Sequence, residues 1–214
     1  MNMTFSESCR ACPRLSSFLD QVRIEHPGYH ALPVSSFGAP GSRFLIVGLA
    51  PGMHGANRTG RPFTGDYAGN LLYGTLHKYG FATSPEPLDA GKNANLALEL
   101  QGCRITNAVR CLPPQNKPEP AEVRACNGYL AEELAALPSG AAVMALGAIA
   151  HQAVLMALGL RKSAHVFGHG ARHELPGDLT LFDSYHCSRY NTQTKRLTQE
   201  MFEQVVADVS RHVA

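Results

Sequence analysis

Four short apolar runs, each bounded by glycine, proline or polar turn residues and spaced by helix-length stretches, constrain this chain more than any other feature. They occupy residues 44–47, 104–109, 141–146 and 179–184. Runs this short and this continuously apolar suit strands buried on both faces, as in a parallel sheet covered by helices. Helical patterns fill the intervals at 66–79, 121–137 and 148–158, and a helical period runs from 192 to 213. Pro120, with acids at Glu119 and Glu122, is first-turn helix chemistry. The alternation predicts one three-layer α/β/α domain over residues 1–214, around a central four-stranded parallel sheet with right-handed crossovers. The turn-rich stretches 35–42 and 84–93 read as surface loops rather than linkers. The first 30 residues lie outside the alternation.

With 214 residues, 44% of them hydrophobic and 17% charged, the chain can bury a full core. No apolar run approaches the roughly 18 residues of a membrane helix. The first residues lack a charged n-region followed by an apolar h-region, so a cytoplasmic protein that does not engage membranes is expected, and a monomer. A formal charge of +2 permits a polyanionic partner without arguing for one.

Ligands of open parallel sheets gather beyond the carboxyl ends of the strands. Three unusual loops fall there: "GLAPGMHGANRTGRPFTGDYAGNLL" from Gly48, "NAVRCLPPQNKPEP" from Asn107, and "YHCSRYNTQTKRLT" from Tyr185. The first is no nucleotide loop. It has no lysine, as a P-loop requires, and Gly48, Gly52, Gly55 and Gly60 miss the dinucleotide spacing. It reads as backbone that approaches a ligand closely. Arg58 and Arg61 are available for phosphates, Phe63 offers a flat face and Asp66 a carboxylate. Each residue also has a plainer reading: Phe63 as core, Asn107 as a strand-end turn former, Asp66 as the cap of the next helix.

Six cysteines add a second theme. Cys9 and Cys12 form a C-x2-C pair; Cys111 and Cys126 form another pair with 14 residues between them. Without an export signal, a metal or cluster site is a better reading than disulfides. Four thiolates serve zinc and iron–sulfur clusters alike. Cys103, in an apolar run, reads as a buried free thiol.

The first loop resembles the first active-site motif of the uracil-DNA glycosylase superfamily, most closely its type b, or family 5, branch with an iron–sulfur cluster. The C-x2-C pair, "FGAPGSRFLIVGLAPG", "TNAVRCLPPQNKPEPAE" with its later cysteine, and "YHCSRYNTQTKRLT" follow in family order. The resemblance implies excision of uracil flipped out of duplex DNA, with single-stranded DNA as a second form, leaving an abasic site. Hypoxanthine, xanthine and ethenocytosine are further candidate bases. It implies a [4Fe–4S] cluster on Cys9, Cys12, Cys111 and Cys126 that staples the N-terminal segment to the domain.

Residue by residue, the resemblance gives Asn107 the Watson–Crick edge of uracil and Phe63 its stacked face, with Gly48, Ala50 and Asn191 also around the base. His186 donates to uracil O2 as charge develops, and Asp66 orients the attacking water. Arg58, Arg61, Ser188, Arg189, Tyr190, Lys195 and Arg196 face DNA. Arg189 and Tyr190 stand where the wider superfamily often has Pro and Leu, which alters the segment expected to enter the DNA groove. His54 lies in the first loop with either a structural or a phosphate-facing role. Cys187 is not needed as a nucleophile, and no lysine is placed for a Schiff base, so no lyase step is expected. The alternative is a non-catalytic, metal-stapled DNA-binding or damage-sensing module.

Overall fold

A computed structural model describes residues 5–86 and 98–214. Most of the 84–93 stretch read as a loop lies outside the described residues. In chain order the elements are α1 (Pro13–Glu25), β1 (Phe44–Gly48), α2 (Ala56–Thr59), α3 (Tyr67–Lys78), β2 (Cys103–Asn107), a 3₁₀ turn (Pro114–Asn116), α4 (Pro120–Ala135), β3 (Ala142–Leu146), α5 (Ala148–Ala157), a second 3₁₀ turn (Lys162–Ala164), β4 (Arg172–Leu175), β5 (Leu179–Ser184), α6 (Arg189–Gln193) and α7 (Gln199–Val213).

The four expected strands form a parallel block, β2-β1-β3-β5, in register from Phe44 opposite Cys103 and Ala142 to Leu146 opposite Ser184. A fifth strand extends the expected sheet: β4 pairs antiparallel with the β5 edge. Every residue of β1, β3 and β5 is buried. Strand periodicity then divides the side chains between two cores. Phe44, Ile46, Met144 and Phe182 pack with Leu72, Leu76, Phe202 and Val206 of α3 and α7. Leu45, Val47, Val143 and Leu181 pack with Leu130 and Val154 of α4 and α5. Both faces are apolar because both are covered. Each such side chain contributes about 1.5–3 kcal/mol.

The helices begin where local chemistry directs. At α4 the Glu119 N–H donates to Glu122 Oε2 at 2.7 Å within a capping box. Glu122 also accepts both prongs of the Arg14 guanidinium, Nε and Nη2 each at 2.7 Å, which ties α1 to the start of α4. The expected helical stretch 192–213 is divided: α6 ends at Gln193, a loop follows, and Thr198 caps α7 through its side chain. Among the described residues, no helix is long and apolar enough to cross a membrane.

Candidate active site

Because β2 and β3 lie on opposite sides of β1, the chain reverses its winding there, and a crevice opens at the carboxyl ends. A cavity of about 390 Å³ sits in it, and Phe63, Asp66, Asn107 and His186 all line it. Ala50 borders it, and Ser188 and Arg189 form part of its rim.

Asp66 is the N-cap of α3, with Oδ1 accepting from the Ala68 N–H at 3.1 Å. Burial holds its carboxyl above the usual range, against the backbone hydrogen bonds of Gly69 and Ala68, which pull it down. The capping and catalytic readings are therefore compatible in one residue. A Cβ on Gly55 would collide with the Asp66 carboxylate, so this part of the loop must be glycine. The same holds at Gly48, where a Cβ would run into Asn107 Oδ1 and the Phe63 ring. Gly48 thus supports the cavity wall from behind.

Phe63 takes a left-handed backbone (φ 56°) that turns its ring inward. It lies 5.8 Å from the His186 ring at an interplanar angle of 27°. Such strain in a non-glycine residue concentrates at functional sites. Burial lowers His186 to about 4, so its imidazole is neutral near pH 7 and carries one N–H. Neither the His186 ring nor the Asn107 amide hydrogen-bonds to any of the described residues. Cys187, fully buried, is pushed up by burial and then by the Asp66 charge, which keeps it a thiol.

The remaining sequence-predicted residues are placed differently. Asn191 is outside the cavity wall, and its Nδ2 donates to the His186 carbonyl at 2.8 Å, bracing that segment. Ser188 caps α6. The Arg189 guanidinium sits 5.4 Å over the Tyr67 ring, and Tyr190 is 71% exposed beside it. Arg58 Nε donates to the His54 carbonyl at 2.9 Å. Arg61 stacks on Phe37 at 4.5 Å and Arg196 on Tyr185 at 4.6 Å; Lys195 is exposed. None of these last four side chains lines the cavity. Tyr67 and Asn116 do, and sequence reading missed both. Gln115 and Asn116 are consecutive left-handed residues, each with φ 55°, between prolines. That pairing was the available signal.

In a separate place, Cys9, Cys12, Cys111 and Cys126 surround one small pocket also walled by Leu15, Val109 and Tyr129. The Tyr129 O–H donates to Cys9 Sγ at 3.6 Å and the Arg110 N–H to Cys126 Sγ at 3.4 Å. Burial pushes Cys111 up to about 12 and Cys126 up to about 11. All four are free thiols.

Residues 35–210 match the family model of the uracil DNA glycosylase superfamily. The chain is 49% identical over 209 residues to a type-5 uracil-DNA glycosylase of Thermus thermophilus, covering 95% of this chain and 93% of that protein. It is 40% identical to a type-5 uracil-DNA glycosylase of Mycobacterium bovis, covering 95% and 77%. A type-4 uracil-DNA glycosylase of Sulfurisphaera tokodaii is more distant, at 26% identity over 78% of this chain and 70% of that protein. With matches of this extent around a cavity of this make-up, the chain belongs to the uracil-DNA glycosylase superfamily.

Proposed function

We propose that the protein is a monofunctional glycosylase that removes uracil from DNA and leaves an abasic site for base excision repair. The observation that carries this reading is the convergence of Asp66, Asn107, His186 and Phe63 on one cavity from loops and strand ends far apart in sequence. Nothing in the packing of an α/β sheet requires a carboxylate, an amide and an imidazole to share one hollow.

In this reading the flipped uracil stacks on Phe63. Its N3–H and O4 meet the Asn107 amide, which has both an acceptor and a donor to offer. The C1′–N1 bond then breaks with its electron pair moving to the base. His186 donates its N–H to O2 as negative charge develops there. Its low pKa suits a neutral donor that stabilises charge without first giving up a proton. Water adds to C1′ and passes a proton to Asp66, whose raised pKa makes it a stronger base than an ordinary carboxylate. Arg189, Ser188 and Tyr190 meet the DNA at the rim, and Arg58, Arg61, Lys195 and Arg196 are more distant phosphate contacts. The small side chains of Ala50, Ala56 and Ala68 around a cavity of about 390 Å³ leave room for hypoxanthine and xanthine as well as uracil. The whole of residues 1–214 forms one such domain, and it works in the cytoplasm.

Cys9, Cys12, Cys111 and Cys126 would hold a [4Fe–4S] cluster. The donor set fits: four thiols and two N–H or O–H donors to sulfur enclose one pocket. Four thiolates serve zinc as well, and it is the resemblance to the type b branch that favours the cluster. When bound, the cluster supplies iron–thiolate bonds that fasten α1 to the loop after β2 and to α4. Bond hydrolysis needs no redox step.

A single-turnover assay for abasic sites on uracil-containing duplex tests the reading. Excision is expected, and tight DNA binding without it would establish a sensing module instead. Panels with hypoxanthine, xanthine and ethenocytosine give the substrate range. Protein prepared anaerobically should contain four irons per chain on the cluster reading. Stoichiometric zinc without iron, from cells well supplied with iron, would overturn it.

A further inference from the structure

Asp183 is completely buried near the end of β5, three residues before His186. Two histidines from neighbouring elements converge on its carboxylate. His151 Nδ1 of α5 lies 2.8 Å from Oδ1, and His173 Nε2 of β4 lies 3.2 Å from Oδ2. The three donor atoms all lie within 4.8 Å of one another. The Gly168 N–H donates to Oδ2 at 3.3 Å. None of these groups enters the glycosylase mechanism.

The second ring nitrogen of His151 is as informative as the first. Nε2 donates to the His165 carbonyl at 2.9 Å. Nε2 is therefore the donor on that side, and the 2.8 Å gap between Nδ1 and Asp183 Oδ1 must hold something positive. A proton is one answer and a metal ion is the other. A metal-binding histidine usually donates its other N–H to a backbone carbonyl or carboxylate, which fixes tautomer and ring orientation, and His151 has that arrangement. The spacing is also suitable. Bonds of about 2.0–2.1 Å around a tetrahedral ion set neighbouring donors about 3.3 Å apart, so the gaps at Asp183 need open only slightly. Close by, His165 Nδ1 is buried with no partner among the described residues, and its ring lies 5.6 Å from that of His173. A water completing the coordination would give it one.

We propose that His151, His173 and Asp183 form a second metal site, separate from the cysteine pocket, that takes a divalent transition-metal ion of the zinc class. Imidazole and carboxylate donors without sulfur suit zinc, cobalt or nickel, and not an iron–sulfur cluster. The site joins α5, β4 and β5 behind the strand that leads to His186, and captures the intervening loop through Gly168 and His165.

The test uses tag-free, full-length protein with its cysteine site intact, titrated anaerobically with Zn²⁺ by calorimetry and with Co²⁺ by visible difference spectroscopy. One equivalent should bind. Cobalt should show d–d bands without a new thiolate charge-transfer band, and Zn²⁺ should raise the denaturation midpoint. His173→Ala should weaken binding by at least about 100-fold, since even an outer-shell partner is worth 10–100-fold. Asp183→Asn should do the same; if it does not fold, His173→Ala decides, because its ring lies on the edge strand with its side chain 13% exposed. No uptake of either ion assigns the positive charge to a proton and overturns the proposal. So does uptake that survives His173→Ala, or a cobalt spectrum dominated by sulfur.

Discussion

Two histidines, the half-buried His186 and the fully buried His151, are partnered in opposite ways. His186 sits at the cavity with no hydrogen bond to its ring among the described residues, and burial lowers its pKa to about 4. His151 has both nitrogens engaged, and although burial alone would lower it, the hydrogen bond and charge of Asp183 leave its pKa raised. Burial of a polar ring without a partner costs stability, so a fold tolerates it only where something else gains. The comparison teaches a way to tell a reacting group from a structural one. Polar groups that face a cavity without partners are prepared for a substrate, while those partnered within the fold, with or without a bound ion, hold it together.

The strongest challenge to this distinction is Asp66, which falls in both classes. It caps α3 and lines the cavity. Asp66→Ala should lower single-turnover excision by about 10²–10⁴, the usual worth of a positioned base, and cost about 0.5–2 kcal/mol in stability as a lost cap. Asp66→Asn separates the two, since asparagine caps nearly as well. The folded pKa of Asp66 is raised, so the native state binds more protons than the unfolded chain in the window between the two values. Stability therefore falls as pH rises through that window. Removing the charge should raise the melting temperature at neutral pH while excision is lost. In the wild type, the rate should fall with decreasing pH through a limb above the ordinary aspartate value, and His186 adds no inflection near neutrality. Near-normal excision by folded Asp66→Asn would reduce this residue to a cap.

Next in size is His151→Ala. It leaves the Asp183 carboxylate buried beside one remaining imidazole, and losing one partner of a buried pair typically costs about 3–5 kcal/mol. Denaturant titration reads it directly. A loss below about 1 kcal/mol, an ordinary surface effect, would mean that this network is not structural. His186→Ala should invert the pattern: excision slower by about 10²–10³, as for one lost charge-stabilising donor, with stability unchanged or slightly improved. If His186→Ala unfolds the protein while retaining the rate of its folded fraction, the comparison fails.

What the sequence disclosed follows the same division. The four central strands were legible because both faces are apolar, so each residue carried the signal. Strand β4 was not, because Arg172, His173 and Glu174 are exposed or half-exposed, and only the hairpin turn at Gly177 and Asp178, both left-handed, marks it. Helix α1 hid behind the cysteine pair, although Pro13 stands at its first turn. At the site, Asp66, Asn107, Phe63 and His186 could be named because they sit inside distinctive strings. Asn116 reaches the cavity through loop geometry, and Tyr67 from the first turn of α3 beside Asp66. Asn191 was assigned to the base, yet its amide is turned to the His186 backbone, a choice that depends on one side-chain rotation. The trio of His151, His173 and Asp183 has no motif at all. Its members come from three elements, and only the pairing of β4 with β5 beside α5 unites them.

The smallest effect concerns the rim, where the ring of Tyr67 meets a cation. The residue is 41% exposed, and its ring lies beneath the Arg189 guanidinium at 5.4 Å. A guanidinium stacked by its face keeps its N–H edges for a phosphate, so Tyr67 would act by orienting Arg189. Tyr67→Ala should weaken duplex binding by about 2–5-fold, the worth of an exposed cation–π contact. It should not change the salt slope, because the charge remains. Arg189→Ala should reduce that slope by about one and weaken binding to all sequences alike. Tyr67→Phe should bind as the wild type does, since the face is kept. The double variant Tyr67→Ala with Arg189→Ala should bind no worse than Arg189→Ala alone, because an orienting residue has no effect once the group it orients is gone. Additive losses would mean that Tyr67 touches DNA itself, and the rim would then belong with His186 among the groups prepared for a ligand.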